Sequence, residues 1–187
     1  MKKFSTLRTV ALGLALSVAV GAAAQAKNPM VGGAAMYPTK NIVENASHSK
    51  DHKTLVAAVK AAGLVSTLEG KGPFTVFAPT DEAFAALPKG TVDTLLKPEN
   101  KDKLTKILTC HVVAGDVMSK ALDKMIKDGG GEYDVKTVGG CVVKAKENKG
   151  KITLTDESGG TAHVTIADVK QSNGVIHVVD KVLLPKS

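Results

Sequence analysis

TVFAPTDEAFAALP, Thr75 to Pro88, is the stretch on which the reading of this chain turns. Phe74 to Ala78 is a short run of β-type residues, and Pro79, which lacks an amide donor, stops it. Thr80 then offers a hydroxyl as helix N-cap. Asp81 and Glu82 follow in the first turn, where the helix dipole favours negative charge. Phe84 and Leu87 are the apolar face of the short helix so begun. A strand that leads through a proline into a capped helix brings sheet and helix together within fourteen residues, Thr75 to Pro88.

The region before it is helical. Leu55, Val56, Val59 and Ala62 recur at helical spacing, Gly63 suits a left-handed cap, and Gly70 to Pro73 is punctuation. On the far side, Val92, Leu95 and Leu96 suggest a helix. Pro98 suits the first turn of another, in which Leu104, Ile107 and Leu108 share a face. Cys110 to Val113 reads as a strand, and Ser119 as the cap of a helix through Met125 that ends at Gly129 to Gly131. From Glu132 onward the period changes to two. Tyr133, Val135 and Thr137 alternate with polar residues, and glycine-containing turns separate Val142–Ala145, Ile152–Thr155, Thr161–Ile166 and Val175–Leu184. Helices first and antiparallel strands second define an α+β chain.

The N-terminus reads as an export signal. Lys2, Lys3 and Arg8 precede an apolar run from Val10 to Ala24, and Ala24-Gln25-Ala26 is a small-x-small cleavage site. That run is shorter than the ~20 residues of a membrane-spanning helix. The expected organisation is a signal peptide over 1–26, an arm over 27–40 and one domain over 41–187. Cleavage after Ala26 leaves 161 residues (187 − 26), enough for one substantial core. It also removes Arg8, the sole arginine, so 22 lysines (25 − 3) face 18 acids. Without the arginine fork, without tryptophan and with few aromatics, nucleic-acid recognition is disfavoured, as is the stacking of sugars or bases.

Cys110 and Cys141 both lie in the exported part, where an even count suggests a disulfide; two buried free thiols are the alternative. No Gly-x-Ser-x-Gly elbow or phosphate-binding glycine loop occurs. Cys110 beside His111 would suit a thiol–imidazole pair, but neighbours on a strand point to opposite faces. His48 and His52, four apart, would share a helix face, yet they lack the glutamate and third ligand of a zinc site. No metal, cofactor or catalytic residue is therefore assigned. Thr80, Asp81 and Asn173 read as cap and turn residues. His111 and His177, in apolar runs, read as buried neutral imidazoles satisfied by hydrogen bonds.

Three segments in order, Thr75 to Pro88, ILTCHVVAGDV (Ile107 to Val117) and NGVIHVVDKVLLP (Asn173 to Pro185), resemble the fasciclin-like domain family. The first and last match its two signature boxes, and the middle matches its central His-containing motif. The resemblance runs from about Asn41 to Pro185, and the relatives it suggests are single-domain exported bacterial proteins. It implies a wedge of antiparallel β-strands with several helices packed against it, and a non-catalytic role in adhesion or matrix attachment. The family's Tyr-His contact pair falls on Cys110 and His111. Its Asp-Ile pair, used for integrin contact in animal members, falls on Asp168 and Val169. By this resemblance His111, Asp168 and Val169 are partner-binding residues.

Three functions compete on this reading. The first is a periplasmic or secreted adhesion module that binds a cell-surface or matrix protein or a polysaccharide. The second is a carrier or sensor of a small apolar ligand held between helices and sheet, which requires a cavity of several hundred Å³. The third is an enzyme using a free Cys110.

Overall fold

The computed structural model describes residues 28–186. The export-signal reading therefore lies outside the described residues. The described residues open with a two-strand ribbon, β1 (Met30–Val31) and β2 (Ala34–Ala35), whose Val31 is buried together with the following Met36. This arm lies on the domain, with the Lys50 amide donating to the Gly32 carbonyl. Three helices follow, α1 (Ile42–His48), α2 (Lys53–Ala62) and α3 (Val65–Leu68). Strand β3 (Phe74–Pro79) leads into α4 (Asp81–Ala85) and α5 (Thr91–Leu95). A 3-10 turn at Pro98–Asn100 then opens α6 (Lys101–Thr109). Strand β4 (Val112–Ala114) and helix α7 (Ser119–Asp128) complete the front half. The back half is all strand: β5 (Glu132–Lys136), β6 (Val142–Asn148), β7 (Lys151–Thr155), β8 (Thr161–Gln171) and β9 (Gly174–Val179).

The α+β architecture is as expected, but the sheet is not wholly antiparallel. Its seven strands run in the order β4-β3-β9-β8-β7-β6-β5, and β3 and β9, the second and third of them, lie parallel in its interior. Central strands need apolar residues on both faces. In β3, Val76 and Ala78 pack under the helices α1 to α6, while Phe77 points to a second core formed by α7 and strands β5 to β8. In β9, Ile176 and Val178 join the first core and Val179 the second. Strands β3 and β9 meet closely at their start: a Cβ on Gly174 would fall 1.9 Å from the Phe74 carbonyl oxygen, so only glycine fits.

Strand β8 belongs to both halves of the sheet. Its first residues pair with β7 and the rest with β9, with register shifts between Val164 and Ile166 and between Ile166 and Val169. In the second bulge Asp168 adopts a left-handed backbone, φ 60°. The sheet also curls back on itself. The turn joining β5 to β6 returns to β4, where the Val138 amide donates to Val112 O (2.7 Å) and the Gly139 amide to Thr109 O (2.9 Å). A Cβ on Gly139 would lie 2.6 Å from Thr109 Oγ1, so a side chain there would prevent this approach.

Four local expectations change. Cys110 and His111 are not in a strand: the Cys110 amide still donates to Lys106 O and Ile107 O, so the helix runs to this point and β4 starts at Val112. Ser119 is the first residue of α7 rather than its cap; the cap position is Met118, which offers no side-chain bond. His48 and His52 do not share a helix face, because α1 ends at His48 and α2 begins after His52. Finally, β9 ends at Val179, and an irregular tail carries Leu183 and Leu184 across the domain.

Candidate functional site

His111, Asp168, His177 and the two cysteines gather around two seams. The first joins the β8 bulge to the start of α7. The carboxylate of Asp168 accepts from the Ser119 amide (2.6 Å) and from the Ser119 hydroxyl. It thereby supplies from 49 residues away the cap that Met118 lacks, and it places negative charge at the positive end of α7. The Asp168 amide donates to His177 Nδ1 (3.2 Å), so this nitrogen accepts and Nε2 carries the proton, donating to Val117 O (2.8 Å). The His177 ring also stacks on Phe77, with centroids 5.8 Å apart. Burial pushes its pKa down, opposed in part by the Val117 carbonyl and by Asp168 and Asp116.

The second seam holds α6, the bridge and the C-terminal tail. His111 Nδ1 donates to Ile107 O (2.8 Å), and Nε2 accepts the Leu183 amide (2.8 Å). Both ring nitrogens are used, and complete burial drives the pKa down to about 4 against the raising effects of the Ile107 carbonyl and Asp156. Cys110 and Cys141 form a disulfide, with Cα atoms 5.3 Å apart, at the place where the curled sheet meets α6. Asp156 receives the Leu184 amide (2.8 Å) on one oxygen and the Gly160 amide (2.8 Å) on the other.

Thr80 caps α4 by accepting the Ala83 amide (3.2 Å). Asp81 does more than stabilise its own helix: its carboxylate accepts the Thr54 amide (2.8 Å) in the first turn of α2. Asn173 is more than a turn residue. Its carbonyl accepts the Ile42 amide (3.0 Å), and its amide group donates to Leu68 O (2.7 Å) and Gly70 O (2.9 Å), so one side chain joins α1, α3 and the β8–β9 turn.

His111 and Val169, expected as partner-contact residues, lie inside the fold. Their side chains are 1% and 0% exposed and present no surface in the folded domain. Asp168 is half-buried and engaged with Ser119. Nor does the space between helices and sheet suit an apolar cargo: the voids there measure about 30 and 20 Å³, room for about one or two waters. Beside the smaller void is His52, buried, its Nδ1 bonded to the Ser49 hydroxyl (2.8 Å) and its pKa lowered by burial.

One histidine escaped the sequence reading. His163 on β8 is exposed, and both its amide (2.7 Å) and its Nδ1 (3.0 Å) reach the Asp180 carboxylate. No local pattern announces a pair 17 residues apart; it arises from the β8–β9 register and the end of β9.

Comparisons with known proteins agree with this architecture. The Fasciclin domain family model matches residues 50–185. The chain is 45% identical to protein sll1483 of Synechocystis sp. over 97% of its own length and 94% of that protein's. It is 35% identical to the transforming growth factor-beta-induced protein ig-h3 of Sus scrofa, covering 70% of this chain and 17% of that one. Its fold matches a FAS1 domain pair from the insect cell adhesion molecule fasciclin I with a TM-score of 0.70 at 19% identity, covering 78% of this chain and 51% of the other. With a family match across most of its length and a close full-length relative, this chain belongs to the Fasciclin domain family.

Proposed function

We propose that the protein is exported, cleaved after Ala26, and acts in the periplasm or outside the cell as a non-catalytic adhesion module. Its partner on this reading is a cell-surface or matrix protein or a polysaccharide. One observation carries the reading. Three groups suited to chemistry are committed to the scaffold: His111 and His177 each bond through both ring nitrogens, and Cys110 is bridged to Cys141. An oxidised bridge accords with an exported location. Among the described residues no helix is long and apolar enough to cross a membrane. The structural relative is a cell adhesion molecule, and that role is here extended to this chain.

Asp168 serves recognition indirectly on this reading, by setting the β8 bulge and the start of α7, while neighbouring exposed side chains make the contacts. The test is retention of purified mature protein on native envelope and matrix material. Saturable retention, abolished by unfolding, is expected. No retention on any such material, or consumption of a substrate by the purified protein, would overturn the reading.

A further inference from the structure

A groove of about 750 Å³ opens where α5 and α6 meet the C-terminal tail, far larger than the voids in the core. Leu87, Pro88, Leu184 and Pro185 form its walls, with buried Leu95 and Ile107 beneath. Its rim carries Lys89, Lys103, Lys106 and Lys186, and among the described residues no carboxylate lines it. Such a volume falls in the range of small-ligand sites, roughly 300–1,000 Å³.

The four lysines are not equivalent. Lys106 donates to Gly139 O (2.5 Å), and Glu157, held below its usual range by the Val142 and Lys186 amides, is lowered further by the Lys106 and Lys186 charges. Lys89 and Lys103 make no ion pair among the described residues. Two uncommitted ammonium groups thus border an apolar trough, and the groove offers water-exposed hydrocarbon and unpaired positive charge together. A purely apolar ligand would leave the charge unused. A polysaccharide or nucleic acid would leave the hydrocarbon unused and would find no aromatic platform. Lysine suits a mobile carboxylate, since its flexible stem can lie along a hydrocarbon chain while the head stays at the charge.

We propose that this groove binds a single-chain amphiphile with a carboxylate head, its chain along Leu87, Pro88, Leu184 and Pro185 and its head at Lys89 and Lys103. The site is independent of the adhesion reading and is tested separately from envelope retention.

The experiment titrates the mature protein with 11-(dansylamino)undecanoate, following the blue shift and rise of dansyl emission. Saturable binding is expected. The methyl ester of the same probe should bind about tenfold more weakly, the scale of one lost charge-assisted contact. A Lys89→Gln/Lys103→Gln double variant should lose a similar factor or more, and Leu184→Asp should remove binding. Lys151→Gln, outside the groove, should bind as wild type. Circular dichroism and melting temperature establish that each variant is folded. Because Lys89 and Lys103 are exposed, the double variant stays informative even if Leu184→Asp unfolds. Equal binding of acid and ester, an unchanged double variant, or no saturable binding would each overturn the proposal.

Discussion

Asp168 and Ser119 are joined twice, the carboxylate of one accepting both the amide and the hydroxyl of the other across 49 residues of chain. The same Asp168 gives its own amide to His177 Nδ1 from a left-handed backbone. Bulge, helix start and buried imidazole are thus one connected unit. The residue that the family resemblance marks as a contact is the one that holds this unit together.

Replacing Asp168 should accordingly cost stability. Asp168→Ala removes the cap of α7 and places a residue that disfavours positive φ in the bulge. A loss of about 2–3 kcal/mol is expected from cap and backbone together. Asp168→Asn keeps one acceptor and tolerates the left-handed conformation, so it should lose less. Urea unfolding measures both; no loss in Asp168→Ala would make this residue a surface group only.

Asn173→Ala should be at least as damaging. It leaves the Ile42 amide and the Leu68 and Gly70 carbonyls without their partner. About 2–3 kcal/mol is expected from these hydrogen bonds and the unsatisfied groups left behind, read as a fall in the urea midpoint.

The bridge closes a separation of 31 residues, for which loop entropy gives about 3–4 kcal/mol. Reductant, or Cys141→Ala, should lower the melting temperature markedly. Thiol titration of the native oxidised protein should find no reactive thiol. Equal melting with and without reductant would show that the bridge does not hold the curled sheet to α6.

Stability should fall as the solution is acidified below about pH 6.5. The folded pKa values of His52, His111 and His177 are all lowered, that of His111 to about 4. Below 6.5 the unfolded chain therefore binds more protons than the native one, and stability is lost progressively down to about pH 4. Above 6.5 both states are neutral and the effect is flat. His111 alone accounts for about 3 kcal/mol across that window. The carboxyls of Glu132 and Glu157 are held below their ordinary range, so their protonation on acidification also favours the unfolded chain and acts in the same direction. Unfolding measured at pH 7 and pH 4.5 checks the sign.

Much of this architecture is legible in the chain because local chemistry and tertiary packing agree. The Pro79 stop, the Thr80 cap and the apolar spacing of α2 and α6 each specify their element alone. The even cysteine count points to a disulfide, and the structure pairs Cys110 with Cys141. The remainder depends on contacts between distant segments. Ser119 resembles a cap, but its hydroxyl turns to Asp168. Asn173 resembles a turn residue, but its side chain has room to reach α1 and α3. Val169 stands where the family's contact residue falls, yet the bulge beside it turns its side chain into the core. The lysine-rimmed groove draws on three separated stretches, none of which carries a pattern of its own.

The most direct test observes the imidazoles themselves, by long-range proton–nitrogen NMR of ¹⁵N-labelled protein over a pH titration. The account predicts that at pH 5.5 His111 is neutral with its proton on Nδ1, and that neutral His177 carries its proton on Nε2 and titrates below the ordinary histidine range, while the native fold persists. An His111 or His177 that titrates near 6.5 in the folded protein, or that carries its proton on the opposite nitrogen, would contradict the assignment of these groups to the scaffold.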